Sequence, residues 1–150
     1  MVFRTLIELP AGLPAIRHTD HILLIGSCFA ENIGALLADA KFRLELNPFG
    51  ILYNPLSISS ALREIATKKE YTEKDLFAYR GLWHSPMHHG FFSASTQEET
   101  LQHINVRLQQ ARQAMQQLDW LMLTLGTAYV YEQKETGKVV ANCHKLPESN

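Results

Sequence analysis

The stretch HILLIGSCFAENIGALLADAKFRLEL, residues 21–46, decides the fold because it shows three elements in succession. Residues 21–25 form an apolar run, which is typical of a strand covered on both faces of a sheet. From about residue 29 the apolar side chains recur at the spacing of one helical face. They are Ile33, Leu36, Leu37 and Ala40. Residues 42–46 alternate apolar and polar side chains, which predicts a half-buried strand.

Two further helices are expected after this unit. Asn54 and Pro55 suit the N-cap and first position of a helix. Ser95–Glu98 or Thr96–Glu99 has capping-box spacing before the longest helix. The apolar stripe of that helix is Leu101, Ile104, Leu108, Ala111, Met115 and Leu118. The side of the same helix that carries Arg107 and Arg112 is predicted to be solvated.

The remaining segments complete an alternating pattern. Residues 120–126, WLMLTLG, predict a second buried strand, and residues 134–137, KETG, predict a hairpin turn. Residues 70–95 are the least regular part of the chain. The order strand–helix–strand–helix indicates an α/β fold with a mainly parallel sheet, and we assign residues 1–150 to a single domain.

Composition excludes several classes of function. Of 150 residues, 46% are hydrophobic, and 14 Lys and Arg residues nearly balance 15 Asp and Glu residues. No basic cluster is large enough for nucleic acid or for a polybasic membrane anchor. The first twelve residues lack the apolar core of a secretory signal, so cytoplasmic residence is expected. Cys28 and Cys143 are then expected to be thiols.

Ser27 and Cys28 stand where the first strand gives way to the first helix. Ligands of open α/β sheets bind at this carboxyl edge, and a helix N-terminus there favours developing negative charge. A serine hydroxyl at that position is well placed to attack an acyl carbon. The simpler interpretation is that Ser27 only caps the helix and that Cys28 is a small apolar residue.

The histidines offer a rival arrangement. A metal or redox site would use Cys28 and Cys143 together with His84, His88, His89 and His144. Pro86 lies between His84 and His88, so one helical face is not expected to carry both rings. The chain contains no Cys-x-x-Cys or His-Glu-x-x-His pattern. The simpler interpretation is that these rings pack within an irregular segment.

Several motifs in order resemble those of the GSCFA domain family. The string GSCFA itself is residues 26–30. It is followed by NPFG at residues 47–50, YNP at residues 53–55, LGT at residues 125–127 and NCHK at residues 142–145. The resemblance therefore extends over nearly the whole chain.

That family is similar to the SGNH/GDSL hydrolases, which implies a flavodoxin-like three-layer α/β/α fold and hydrolysis of small or carbohydrate-linked acyl esters. The resemblance assigns Ser27 as the nucleophile, with its own N–H and the N–H of Gly50 as oxyanion donors. Thr127 or Asn142 would replace the Asn side chain that supplies the third donor. Candidate substrate-binding residues are His88, His89 and Trp83. No cofactor or metal is implied.

The sequence also departs from that pattern. No Asp-x-x-His motif occurs, so the general base is missing. We therefore expect a C-terminally incomplete domain and an exposed sheet edge that favours a homo-oligomer. We also expect weak activity of this chain alone, unless His84, His88, His89 or His144 substitutes for the missing base. The alternative is a non-catalytic module that binds carbohydrate or protein with the same fold.

Overall fold

A computed structural model describes residues 7–8 and 10–141, and it confirms an α/β fold built on a parallel sheet. Within the described residues this sheet has three strands, in the order β2-β1-β5. They are β1 (His21–Gly26), β2 (Arg43–Leu46) and β5 (Trp120–Thr124). Both neighbours of β1 run parallel to it, and Gly26 pairs with Thr124 at the carboxyl end. The sheet is open, and β1 is its central strand.

Three helices cover the sheet: α1 (Cys28–Asp39), α2 (Pro55–Ala66) and α3 (Gln97–Gln116). Alternate residues of β1 belong to two separate apolar clusters. One cluster joins Ile22 and Leu24 to Ala30 of α1, and the other contains Leu23 and Ile25 with residues of α2 and α3. This division between opposite faces gives three layers, consistent with the predicted flavodoxin-like arrangement.

The predicted helix starts are confirmed by their caps. Asn54 Oδ1 accepts from Ser57 N at 2.8 Å, and Pro55 occupies the first turn of α2. Thr96 rather than Ser95 caps α3, because Thr96 Oγ1 accepts from Glu99 N at 3.2 Å. The central part of the predicted stripe of α3 is buried at Ile104, Leu108 and Ala111.

The predicted apolar face of α1 is partly wrong. Leu36 is 64% exposed, and the fully buried positions of the helix are Ala30 and Gly34. A Cβ at Gly34 would lie 2.6 Å from the side-chain methyls of Leu46. The close contact between α1 and β2 therefore depends on a glycine, and in this orientation of the helix Leu36 points to solvent.

The sequence predicts a second buried strand at residues 120–126, but the strand found there, β5, is only partly buried. Leu121 and Leu123 are 44% and 45% exposed, although the strand pairs with β1 along its full length. In register, Leu121 lies beside Leu23 and Leu123 beside Ile25. Those β1 residues are buried in the cluster with α2 and α3, whereas β5 is an edge strand within the described residues and its leucines are only partly covered.

Two small hairpins complete the described part. Strands β3 (Phe77–Tyr79) and β4 (Leu82–His84) form an antiparallel pair inside the segment expected to be irregular. Arg80 and Gly81 both have positive φ, as a tight two-residue turn requires. The predicted turn at residues 134–137 is confirmed, since it joins β6 (Tyr131–Glu132) to β7 (Val139–Val140).

The prediction of a solvated arginine face on α3 is wrong. Arg107 forms an ion pair with Glu45 of β2, at 2.7 Å between Nη2 and Oε1. Its Nη2 also donates to the carbonyl oxygen of Leu46 at 3.0 Å. Arg112 donates to the carbonyl oxygen of Lys69. Both arginines therefore attach α3 to neighbouring segments.

Across residues 7–8 and 10–141, none of the helices has the length and apolar character needed to cross a bilayer.

Candidate active site

Three loops meet at the carboxyl edge of the sheet. The loop after β2 donates from Leu52 N to the carbonyl oxygen of Gly26 at 2.9 Å. The same loop accepts from the segment after β5, where Gly126 N and Thr127 N both donate to the carbonyl oxygen of Tyr53, at 2.8 and 3.1 Å. Backbone hydrogen bonds thus fix the segments around Ser27 relative to one another.

Gly26 is required by close packing at the start of this site. A Cβ on Gly26 would lie 2.3 Å from the backbone carbonyl oxygen of Thr124, which no side chain can tolerate. Gly26 N donates to Asn47 Oδ1 at 2.9 Å, and Asn47 Nδ2 donates to Glu31 Oε2 at 2.6 Å. Asn47 is buried and has a φ of 41°, a conformation that asparagine tolerates better than most residues. This chain of bonds orients the turn that presents Ser27.

Ser27 is the N-cap of α1 and is only 8% exposed. Its Oγ accepts from Phe29 N at 3.3 Å and lies 3.4 Å from Thr124 Oγ1. Its backbone N–H donates to Thr124 Oγ1 at 3.1 Å. The hydroxyl is thus at a helix N-terminus, as expected from the sequence, and it lies beside a second hydroxyl.

Thr124, like Asn47, has a role in this site that the sequence did not predict. It ends β5 at the position that pairs with Gly26, so its side chain meets the residue that follows Gly26. The available signal was the strand prediction itself, because the last residue of a parallel neighbour lies beside the end of β1.

Gly50 lies in the loop after β2 with a φ of 79°. Its N–H donates to the carbonyl oxygen of Asn47 at 2.7 Å, which closes a tight turn. A Cβ on Gly50 would lie 2.2 Å from Cβ of His89, so the glycine is also needed for close packing. The two amides predicted to hold an oxyanion, those of Ser27 and Gly50, both have intramolecular acceptors in this conformation.

Thr127 lies near the same edge. Its Oγ1 accepts from Tyr129 N at 3.1 Å, and its backbone N–H is bound to Tyr53. The preceding Gly126 borders Ser27 directly, because a Cβ built on Gly126 would be 3.5 Å from Ser27 Cβ. Thr127 therefore follows the residue that forms one wall of the Ser27 site. Asn142, the other predicted third donor, lies outside the described residues.

The two adjacent histidines differ in their accessibility. His88 is completely buried, stacks on Phe49 at 4.5 Å between ring centroids, and has Nδ1 2.9 Å from Ser85 Oγ. No ligand can touch its ring in this conformation. His89 is half-buried, contacts Gly50, and donates its backbone N–H to the carbonyl oxygen of Phe49 at 2.9 Å. Both histidines contact the loop after β2, His88 through Phe49 and His89 through Phe49 and Gly50, and of the two only His89 is partly accessible.

Trp83 belongs to a different part of the structure. It is half-buried in β4, where its backbone N–H donates to the carbonyl oxygen of Ala94 at 2.8 Å. Its own carbonyl oxygen accepts from Thr100 Oγ1 at 3.4 Å, which places it against the first turn of α3. These contacts lie with the β3–β4 hairpin rather than with the loops that surround Ser27.

The cysteine and histidine arrangement is not assembled in the described part. Cys28 is an exposed free thiol at the start of α1, whereas the His84 ring is buried, with Nδ1 2.6 Å from Ser93 Oγ. Among residues 7–8 and 10–141, no three His, Cys, Asp or Glu side chains are grouped as metal ligands. Cys143 and His144 lie outside that range.

Ser27 Oγ has no acid–base partner within the described ranges. Its hydrogen-bond neighbours there are an amide and the hydroxyl of Thr124, and neither takes a proton from serine at neutral pH. The nearest carboxylate in the network, Glu31, reaches the turn only through Asn47. A general base for Ser27 would have to come from residues other than these.

The fold and site together define an α/β protein with a serine at the carboxyl end of the central parallel strand, at the N-terminus of the first helix. The model of the GSCFA family matches residues 21–150. The chain belongs to the GSCFA family. No curated protein and no solved structure has significant similarity to it.

Proposed function

We propose that this protein is a serine hydrolase of small or carbohydrate-linked acyl esters, with Ser27 as the nucleophile. The observation that carries the proposal is the position of Ser27 at the carboxyl end of β1, where it caps α1. Attack by Ser27 Oγ on the ester carbonyl would form a tetrahedral oxyanion beside the first turn of α1. The aligned N–H groups of that turn favour negative charge there.

The Thr124 hydroxyl has a specific part in this proposal. In the resting state Thr124 Oγ1 accepts from Ser27 N, and this bond occupies the amide that would hold the oxyanion. Rotation of the Thr124 side chain would release that N–H. Thr124 Oγ1 also lies within 3.4 Å of Ser27 Oγ, so its O–H can orient the nucleophile before attack.

The second oxyanion donor in the proposal is Gly50 N–H, shared with the carbonyl oxygen of Asn47. The 2.7 Å turn bond would lengthen when the oxyanion forms. The side chain of Thr127 or that of Asn142 supplies the third donor. The proton of Ser27 passes to a base outside the described residues, and cytoplasmic residence remains part of the proposal.

The test is hydrolysis of p-nitrophenyl acetate and butyrate by the full-length protein and by Ser27→Ala. We expect kcat/KM to fall by about 10³-fold or more, because loss of a nucleophile leaves only binding and oxyanion stabilisation. Cys28→Ala is the matched control, since it changes the adjacent exposed side chain and should retain activity. Equal turnover by wild type and Ser27→Ala would refute the assignment.

A binding module without catalysis is the second candidate. It is favoured by the absence of a proton acceptor at Ser27 Oγ among the described residues, and by the internal hydrogen bonds of the Ser27 and Gly50 amides. Saturable binding of acylated oligosaccharides with no turnover, in wild type and in Ser27→Ala alike, would support this candidate over the hydrolase.

A further inference from the structure

A cavity lies away from Ser27. It has a volume of about 440 Å³ and is enclosed by α2, the β3 segment with the 3-10 turn before it (Glu73–Asp75), and the β6–β7 hairpin. Ala141 N donates to the carbonyl oxygen of Pro86 at 3.1 Å, which holds the end of the hairpin against the opposite wall. This volume is in the range of pockets that bind small molecules.

One part of the cavity wall is apolar. Phe77 of β3 and Met87 face it together with Val139 and Val140 of β7. These side chains offer a surface that an alkyl chain or ring can cover, and removal of that surface from water favours binding in proportion to its area.

The other part of the wall is charged, and its negative groups already have partners. Asp75 Oδ1 accepts from Lys69 Nζ at 2.7 Å, and Asp75 Oδ2 accepts from Thr72 N at 2.9 Å. Glu64 Oε2 accepts from the Tyr71 hydroxyl at 2.7 Å. Both carboxylates are thus held by donors of the protein itself.

Two lysines of the wall are differently placed. Lys74 and Lys138 both line the cavity and are exposed. Neither ammonium group forms an ion pair within residues 7–8 and 10–141. The charge of Lys138 does act on Glu64, where it tends to lower the pKa of that carboxyl. The cavity still combines an apolar wall with an excess of positive charge, because Lys69, Lys74 and Lys138 line it against two carboxylates, Glu64 and Asp75.

We propose that this cavity binds a small amphiphilic anion, with its carboxylate or phosphate at Lys74 and Lys138 and its alkyl chain or ring on Phe77 and the β7 valines. A neutral ligand would form no ion pair with either Lys74 or Lys138. A cationic ligand would be repelled by the lysines and would have to displace the donors that hold Glu64 and Asp75.

The experiment is calorimetric titration of the full-length protein with sodium octanoate, octyl phosphate and 1-octanol. We expect saturable binding of an anionic probe that is at least about tenfold tighter than binding of 1-octanol. Tighter octyl phosphate would indicate a phosphate ligand, and tighter octanoate would indicate a carboxylate ligand. No saturable binding of either anion, or equal binding of 1-octanol, would overturn the proposal.

Variants locate the site. The double substitution Lys74→Gln, Lys138→Gln should weaken anion binding about tenfold or more, whereas Lys41→Gln, which removes an exposed lysine at the far end of α1, should leave it unchanged. Both lysines are exposed, so we expect the double variant to unfold at the wild-type temperature. Unchanged affinity in that variant would contradict the assignment. Ser27→Ala should bind like wild type, which separates this site from the proposed nucleophile.

Discussion

At the residue scale, Ser27 Oγ has two tasks that compete. As the cap of α1 it accepts from Phe29 N, and as the proposed nucleophile it must turn toward a substrate carbonyl. The hydrogen bond of 3.3 Å from Phe29 N is long and therefore weak, so little free energy is lost when the Ser27 hydroxyl leaves the cap. In the capped position Ser27 Oγ lies 3.4 Å from Thr124 Oγ1, so the threonine hydroxyl can orient it before it turns.

Because Ser27 caps α1, we expect Ser27→Ala to lower the free energy of unfolding. Loss of an N-cap side chain costs about 1 kcal/mol, and the long bond here places the expected loss at or below about that value. The measurement is urea unfolding of wild type and variant. Cys28→Ala, at the first position of the helix, should change the free energy of unfolding by less. A loss several times larger would show that Ser27 supports the fold through contacts other than the cap.

Thr124 gives the corresponding prediction for activity. Thr124→Val keeps the shape of the side chain but removes the hydroxyl that meets Ser27 N and Ser27 Oγ. We expect kcat of ester hydrolysis to fall by about tenfold to a hundredfold, with less change in KM, because ground-state contacts with substrate remain. Thr124→Ser, which restores the hydroxyl, should recover most of the rate. Equal rates for all three proteins would exclude a positioning role.

Glu64 predicts a pH dependence of stability. Burial raises the pKa of this carboxyl above its usual value, against the smaller lowering effect of the bond from Tyr71. The folded state therefore binds a proton at higher pH than the unfolded state does. The stabilising contribution of Glu64 is full below the unfolded pKa of about 4.3 and is lost as pH rises through the folded value.

Glu64→Gln should accordingly gain stability relative to wild type near pH 7, and that gain should shrink as the pH approaches about 4. Urea unfolding at several pH values measures it, and Glu70→Gln, which changes an exposed carboxyl four residues beyond α2, is the control. A gain that does not vary with pH would contradict this account of Glu64.

At the scale of elements, local signals in the sequence predicted most of the fold. Three features depend only on residues that are close in sequence, so the sequence predicts them. They are the run at residues 21–25, the cap at Asn54 and the stripe of α3. The β3–β4 hairpin was missed because its turn, Arg80-Gly81, lies in a segment rich in aromatic and histidine residues. Leu36 was misplaced because the orientation of α1 is set by Gly34 against Leu46, a contact between elements.

Gly34→Val tests that contact. The added side chain would start 2.6 Å from the methyls of Leu46, so we expect a loss of about 1–3 kcal/mol through overpacking. Ala35→Val changes the adjacent exposed position and should lose only the smaller cost of helix propensity. Equal losses in both variants, measured by urea unfolding, would show that α1 does not pack closely on β2.

At the scale of the whole molecule, the open sheet is the main feature that the sequence could not predict in full. The run at residues 120–126 lacks charge and therefore predicted a buried strand. In the described part of the chain, however, β5 is an edge strand whose Leu121 and Leu123 are partly exposed. Burial of a strand depends on which helices reach it, and spacing within the strand carries no such information. The candidate site was predictable at Ser27, because it follows a strand, and not at Thr124 or Asn47, which act through contacts across the sheet.

Within the described residues β5 is an edge strand of the sheet, and this position supports a proposal of self-association. An uncharged edge strand with exposed leucines is a template for pairing with a second copy. Light scattering over a range of protein concentrations should show a homo-oligomer, and Leu123→Lys should shift it toward monomer. Leu36→Lys, which changes an exposed leucine on α1, is the control. A protein that stays monomeric at all concentrations would refute the proposal.

The central claim is that Ser27 is a nucleophile, and the most direct measurement is covalent labelling with a fluorophosphonate, followed by peptide mass spectrometry of the full-length protein. We predict one phosphonyl adduct on the peptide that contains Ser27, absent from Ser27→Ala and retained in Cys28→Ala. Labelling that persists in Ser27→Ala, or no adduct on wild-type Ser27 in a protein that hydrolyses esters, would contradict the account.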